Sequence, residues 1–472
     1  MAAAEAWDPV PEARPALERL RASIRGTLIE PTDPGYERAR AVWNGMIDRR
    51  PRAVVLAAAT SDIAPVLAAA RETGLPLAVR GAGHSIAGFG TVDDGIVLDL
   101  GALRSVAVEA SSQRVTVAPG ASAGDVDRAT SASGLAVPLA AVSPAGVAGM
   151  ALGGGLGWLA RSAGLTSDAL ERAEVVLASG EQVVVDREQH EDLFWGLRGG
   201  GGNFGVVSSF TFRAVAMPRT VLGATLLYRR PHWRRALAAF GRWSLALPDE
   251  TAAMASFMVL PASAGRGEEP WLMVRSVHLG PDPADGLAQL ERLRRAVAPD
   301  HEEVGPVDWP RWQSARDEVF PTGSRVFWSN VGFSRTDEDA LDLIIAFASQ
   351  ISRRGTGIDI HRLGGAFSRV PAAATAFPNR TARFWMNIFG VWDRAEEDRG
   401  RTEFAQRAQE VMRRFSEDGE YVNFQSIEQA RPITELSRRI YGEENYRRLQ
   451  KLKQRYDPSN LFRGNYNVSP EL

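Results

Sequence analysis

Three glycine runs in the first half of the chain have residue types suited to binding an anion. They are Arg80-Gly81-Ala82-Gly83-His84-Ser85, the stretch from Gly146 through Gly149 and Gly153-Gly154-Gly155 to Gly157, and Arg198 followed by Gly199 to Gly202, Asn203 and Gly205. Glycine lets backbone N–H groups approach a phosphate closely and adopt positive φ. Three runs, each beside a strand-like segment, could wrap one large anionic ligand. They could equally be three unrelated tight turns, because GxG patterns arise by chance. His84 directly follows the first run, where an imidazole would touch whatever the loop holds, although an isolated histidine is commonly structural. There is no GxxxxGK(S/T) sequence and no convincing strand–GxGxxG–helix unit, so neither a P-loop nor a Rossmann site is indicated.

Composition narrows the chemistry further. The chain has 472 residues, 44% hydrophobic and 24% charged, enough apolar material for a large core. Its 55 Lys+Arg against 57 Asp+Glu give a net charge of -2, so no basic excess exists to neutralise nucleic acid. Cys is absent, which excludes disulfides, thiolate catalysis and Cys-ligated metals. The 12 Trp predict buried or pocket-lining aromatics. Met1 to Asp8 lacks a basic or apolar leader pattern, and the uncharged stretch Leu135–Ala160 is broken by glycine and proline. A cytoplasmic protein without a membrane partner is expected.

Hydrophobic periodicity and turn signals give the elements that must position these residues. Residues 15–50 predict short helices. Ala53–Ala59, helical Ser61–Thr73 and Pro76–Arg80 predict a β-α-β beginning. Further strands are expected at Ile96–Leu100, Gln113–Ala118, Arg172–Ala178, Val183–Asp186 and Gly205–Arg213, a helix at Ser122–Ser133, and loops over 138–157. Past Pro218 the glycine clusters thin out. Helices are expected at Pro231–Ala246, Pro283–Val297 and Asp337–Arg353, and strands at Ala253–Leu260, Pro270–His278 and Arg383–Val391. Long antiparallel strands with covering helices imply an α+β unit. Tyr421–Phe424 predicts a strand and Asn445–Arg455 a helix.

Arg80-Gly-Ala-Gly-His84-Ser85 resembles the motif of covalent flavoproteins in the vanillyl-alcohol oxidase superfamily, which has the PCMH-type FAD-binding fold. The second run, continuing through Trp158, Arg161, Gly164 and Asp168, resembles the berberine-bridge-enzyme-like branch. So do Asp192 to Val207, with Trp195, Arg198 and Asn203, and the tail with Tyr441, Asn445, Leu449, Lys453, Tyr456, Pro458, Asn460, Phe462 and Asn465-Tyr466-Asn467. The similarity is close over 40–215 and 416–472 and weak over 218–415. It implies an α+β fold with a PCMH-type two-subdomain FAD-binding domain over 1–217 (the PCMH-type part about 47–217). A substrate domain with a large antiparallel sheet would span 218–415, and 416–472 would return to the first domain. By this resemblance Arg80, Gly81, Ala82, Gly83 and Ser85, with Gly146, Val147, Gly149, Leu152, Gly153, Gly154 and Gly157, hold the FAD pyrophosphate region, chiefly through backbone N–H groups. Val206 and Val207 would lie near the flavin or adenine edge, Asn465, Tyr466 and Asn467 would close over the flavin, and His84 would be joined to the 8α-methyl carbon. That link needs a neutral imidazole nitrogen as nucleophile, and it retains the cofactor and raises its reduction potential.

The chain also departs from the family pattern. Where many relatives carry a cysteine joined to flavin C6, Val142 stands, so a single link through His84 is expected. Ala145 matches a position whose size gates oxygen; alanine implies an oxidase, or simply packs against the ring. The tyrosine that relatives use as base falls on Phe424, and strand alternation would point Tyr421 to the opposite face. A family glutamate falls within Phe384–Ile388, where Trp385, Met386 and Asn387 stand. His361, counted back from Gly364-Gly365, resembles a pocket tyrosine position and is the remaining acid–base candidate, unless it is a satisfied sheet histidine. The catalytic candidates are therefore His361, Ala145 and Asn387. His190, His232, His278 and His301 read as surface residues without metal-ligand spacing, so no metal is expected.

The expected function is an FAD-dependent oxidase. It would move hydride from a small organic substrate (alcohol, sugar, phenol or amine, of secondary-metabolite type) to flavin N5, with O2 reoxidising the flavin to give H2O2. The alternatives are a dehydrogenase with another acceptor, an oxidative cyclase, and a flavin-carrying protein without turnover. A monomer or homodimer is expected.

Overall fold

In the computed structural model, residues 13–334, 337–416, 419–427 and 432–471 are described. Strands β1 (Thr27–Ile29), β2 (Ala53–Leu56), β3 (Leu77–Arg80) and β4 (Ile96–Asp99) form a sheet in the order β1-β2-β4-β3. β2, β4 and β3 are parallel and β1 is antiparallel to β2. Helix Ile63–Thr73 makes the crossover, burying Ile63, Val66, Leu67 and Ala70 along one stripe and ending at Gly74, whose φ of 68° is left-handed. The first glycine run leaves the carboxyl end of β3.

A second, antiparallel sheet takes β5 (Val106–Glu109) and β6 (Arg114–Val117). β7 (Leu135–Ala136) stands apart from it. β8 (Leu170–Val176), β9 (Gln182–Asp186) and β10 (Val206–Arg213) complete it in the order β5-β6-β10-β8-β9, while β11 (Val215–Ala216) pairs with β7. The second glycine run is not the expected loop. Val147–Gly153 is a helix, because Val147, Met150 and Ala151 fall on one face and bury in the core that covers this sheet. That packing outweighs the poor helix propensity of its glycines.

The third sheet is built from β12 (Thr220–Tyr228), β13 (Thr251–Val259), β14 (Pro270–His278), β15 (His301–Asp308), β16 (Arg325–Phe333), β17 (Thr356–Arg362) and β18 (Phe384–Trp392). All neighbours are antiparallel, in the order β15-β12-β14-β13-β17-β18-β16. Helices Trp233–Leu245, Pro283–Ala296, Glu338–Ala348 and Asp398–Met412 cover one face, with Phe240, Leu293, Ile344 and Met412 in the shared core. The other face presses on the glycine-rich half. There Trp158 and Leu159 meet Met254, Val277 and Trp312, and Trp43 and Ile86 meet Phe320, Trp328 and Phe389. Covered on both sides, β13, β14 and β18 are buried throughout. The expected α+β architecture, with a large antiparallel sheet past residue 218, is thus that of this chain.

The C-terminal segment is fastened to both halves. Helix Glu443–Tyr456 packs Tyr446, Leu449 and Leu452 into the core with Phe194 and Trp195. The fully buried Lys453 pairs with Asp457 at 2.7 Å and donates to the carbonyls of Asn203 and Phe462. Tyr421–Phe424 is not a strand: Val422–Phe424 is one 3-10 turn. Its entry is clamped by Asn330 on edge strand β16, which accepts from Tyr421 N and donates to Tyr421 O. Among the described residues no helix is long and apolar enough to cross a membrane.

Candidate active site

The glycine runs converge on a cavity of about 310 Å³. From the first run Arg80, Gly81, Ala82, Gly83, His84 and Ser85 line it, and from the second region Val142, Ala145, Gly146, Gly149, Leu152 and Gly153. Val206, Val207, Asn465 and Tyr466 complete the part foreseen from sequence. Trp43, Phe89, Trp328, Tyr421, Asn423, Phe424, Gln425, Tyr441 and Phe462 line it as well and were not foreseen as site residues. Phe89 closely follows the first run, Tyr441 and Phe462 belong to the tail that carries the resemblance, and Trp43 and Trp328 arrive from chain positions remote from the glycine motifs.

Other expected residues lie outside this lining. Val147 is fully buried in the core. Gly154 and Gly157 serve packing: a Cβ at Gly154 would meet the Phe377 ring at 2.7 Å, and one at Gly157 the Leu139 carbonyl at 1.8 Å. The Asn467 Oδ1 is buried without a hydrogen-bond partner, and Asn467 is not among the lining residues. The Arg80 guanidinium is engaged by Asp99 at 2.8 Å and by the carbonyls of Ala39 and Ala41, so it anchors the loop to its own half.

Gly149 is the informative glycine. It sits inside a helix, where glycine costs roughly 1 kcal/mol relative to alanine, yet a Cβ there would meet no protein atom within 4 Å. Gly202 is open in the same way. The protein itself therefore does not require glycine at either place. Their bare backbone leaves room over the cavity floor for another molecule.

His84 stacks on Trp43, ring centroids 4.1 Å apart at 19°. Burial pushes the imidazole down to about 4, so it is neutral at physiological pH, and its Nε2 is buried with no hydrogen-bond partner. A neutral ring held flat and incompletely satisfied at the cavity wall is the state a nucleophilic imidazole requires.

The opposite wall corrects one expectation. In a 3-10 turn residues three apart share a face, and Tyr421 and Phe424 indeed lie together, ring centroids 4.7 Å apart. Strand alternation, which would have separated them, does not apply. Tyr421 Oη accepts from Gly155 N at 3.0 Å, Leu156 N at 3.1 Å and Asn423 Nδ2 at 3.2 Å, and burial raises its pKa. It is a protonated anchor that ties the 421–425 segment to the glycine triplet.

His361 does not line the main cavity. It stands behind Phe424, ring centroids 6.0 Å apart, and with Leu156, Gly157, Trp158 and Met254 walls a small cavity of about 20 Å³. Burial pushes it down to about 4, with Arg316 reinforcing and Asp359 opposing. Asn387 lies in the adjacent row of the same sheet face, paired in register with Asp359 and Asn330, and its Oδ1 is buried without a partner. His278 is no surface residue: it is 5% exposed on β14 and its Nδ1 lies 2.9 Å from Thr251 Oγ1. Among the described residues no group of three or more His, Asp or Glu could hold a metal ion.

The "FAD binding domain" family model matches residues 51–186, and the "Berberine and berberine like" model matches residues 420–469. Both stretches contribute residues to the wall of the cavity. The chain therefore carries the two domains of the berberine-bridge-enzyme-like FAD-linked oxidoreductases. The (R)-6-hydroxynicotine oxidase of Paenarthrobacter nicotinovorans is 28% identical to this protein over 465 residues, 95% of this chain and 98% of the relative. An uncharacterized FAD-linked oxidoreductase of Bacillus subtilis, YgaK, is 27% identical over the same shares. The crystal structure of 6-hydroxy-D-nicotine oxidase from Arthrobacter nicotinovorans superposes with a TM-score of 0.85 at 25% identity, covering 95% of this chain and 99% of that one. Glucooligosaccharide oxidase from Acremonium strictum, described with a 6-S-cysteinyl, 8α-N1-histidyl FAD, shares the fold with a TM-score of 0.85 at 22% identity over 96% and 99% of the two chains.

Proposed function

We propose that this enzyme is an oxidase that carries FAD on a single histidyl link, through His84, and oxidises a small organic molecule with O2 as acceptor. The observation that carries the reading is the neutral, Trp43-stacked His84 on a cavity floored by glycines with open space above them. Val142 offers no thiol for a second attachment.

In this reading the FAD-binding domain is 1–217, the substrate domain 218–415, and 416–472 returns to the first. When bound, FAD supplies the hydride acceptor for the substrate carbon and the site of reoxidation by O2. Gly81 to Gly83, Gly146, Gly149 and Gly153 present backbone to the pyrophosphate, and Val206, Val207, Asn465 and Tyr466 close the cleft. Ala145, half-buried in the lining, leaves unfilled space that O2 can enter. Trp328, Phe389 and Phe424 exclude water from the wall nearest the sheet. His361, neutral at working pH, takes the proton that a substrate hydroxyl or amine loses as its carbon is oxidised. Asn387 offers its free amide oxygen to orient the polar groups of that wall.

The direct experiment is a peroxide-coupled screen over alcohols, sugars, phenols and amines, followed by anaerobic mixing with each hit. Substrate-dependent flavin bleaching and rapid recolouring in air support an oxidase. Bleaching with slow recolouring would assign a dehydrogenase.

A further inference from the structure

The sheet face turned toward the FAD-binding half carries a buried arginine without a partner. Arg275 on β14 is 5% exposed, and among the described residues its guanidinium makes no hydrogen bond or ion pair. It lies instead over the indole of Trp312 at 3.9 Å and of Trp158 at 5.3 Å. Its neighbour Arg316, 6% exposed, is only partly satisfied. One terminal nitrogen pairs with Asp359 at 2.8 Å, the other reaches Met254 Sδ at 3.3 Å, and Nε has no hydrogen-bond partner. Asp359 is committed, accepting also from Ser256 Oγ at 2.6 Å.

Sheet register brings these groups to His361. Arg275 pairs with Met254, and Met254 pairs with His361. Asp359 precedes His361 by two residues and so shares its face. The charges that act on Arg275 are Arg316, which opposes its protonation, and Asp359, which favours it. With His361 neutral, two cations face one carboxylate. An unpaired buried charge is among the costliest features a fold can keep, and it calls for an anion. The guanidinium fork matches a carboxylate in two parallel hydrogen bonds. Beside these groups Trp158, Met254 and His361 wall a cavity of about 20 Å³, with room for only a small group; Arg275 and Arg316 are not among its lining residues but adjoin Trp158 and Met254, which are.

We propose that Arg275, assisted by Arg316, holds a carboxylate of the substrate against this face, so that the molecule oxidised is an organic acid with its reacting group on the His361 side. This rests on the reading of the face as the substrate wall.

The test uses the flavin-loaded enzyme with formate and acetate, each compared with its amide, read by tryptophan fluorescence because two indoles contact Arg275. The acids should bind saturably and the amides should not. Arg275→Met should weaken acid binding by roughly ten- to a hundredfold, the worth of a charge-assisted hydrogen bond, and Arg275→Lys should recover part of it. Acids and amides binding alike, no saturable acid binding, or full acid affinity in Arg275→Met would each overturn the proposal. The wild-type comparison stands even where a variant does not fold. Peroxide-producing turnover without acid selectivity would leave the oxidase reading intact and remove this site. Acid selectivity without any turnover would do the reverse.

Discussion

The imidazole of His84 lies flat on the indole of Trp43, 4.1 Å between ring centroids, and Trp43 is held in turn by its Nε1 donating to the carbonyl of Phe320. The residue expected to carry the flavin is therefore positioned by a residue outside the glycine motif, and that residue is tied to the segment that leads into β16. Removing the indole should free the ring to rotate. An aromatic pair contributes about 0.5–1.5 kcal/mol beyond its buried area, so Trp43→Leu should slow covalent flavin incorporation several-fold. Acid-precipitated flavin measured against time after adding FAD to apoprotein would check this.

Ala145→Leu should slow reoxidation by O2 while anaerobic reduction by substrate stays near the wild-type rate. Ala145 lines the cavity, and the larger side chain would fill space there. Stopped-flow measurement of the two half-reactions separates the effects, and an unchanged oxidative rate would mean oxygen enters elsewhere.

His361 gives two predictions with a defined sign. Its folded pKa is depressed to about 4 from 6.5, so the folded state favours the neutral ring. The stability this contributes is present above pH 6.5 and is lost as the pH falls toward 4, a change of order 3 kcal/mol at most. His361→Gln should therefore flatten the loss of stability between those pH values by about one proton, readable as the urea midpoint at pH 7 and pH 4.5. Parallel curves for the two proteins would contradict the burial argument.

The same residue should matter for turnover. His361→Ala should lower the rate of flavin reduction by about 10²–10⁴, the usual worth of general-base help. The pH limb assigned to it should lie near 4 rather than near the ordinary histidine value, so that wild-type reduction is flat across neutral pH. A few-fold change with the limb intact would make His361 a packing residue.

Lys453 is 0% exposed and joins the tail to the third glycine run. Burial lowers its pKa and Asp457 opposes that shift. Breaking a buried pair on one side costs about 3–5 kcal/mol, so Lys453→Met should lower the melting temperature markedly and loosen the segment carrying Asn465 and Tyr466. Limited proteolysis would locate the loosened end.

Much of the FAD-binding half was legible because its signals are local. Strands such as Ile96–Asp99 are short apolar runs, and the convergence of Gly81, Gly146 and Val206 follows from motifs at fixed spacing. The substrate face was not. β15 reads HEEVGPVD, a polar edge strand whose backbone pairs on one side only, so it lacks an apolar pattern. Val422–Phe424 looks extended from its residues, yet Asn330, some ninety positions earlier, bends it into a 3-10 turn. Trp43 and Arg275 acquire their meaning only from partners brought by the fold.

We propose one covalent attachment of FAD, through His84 alone. Its most direct test is in-gel flavin fluorescence of the denatured enzyme, with mass mapping of the fluorescent peptide. Wild-type protein should keep its flavin through denaturation on the single peptide containing His84, and His84→Ala should bind FAD in the native state but release all of it on denaturation. Complete release from the wild-type protein, or a flavin-bearing peptide that lacks His84, would rule out attachment at His84.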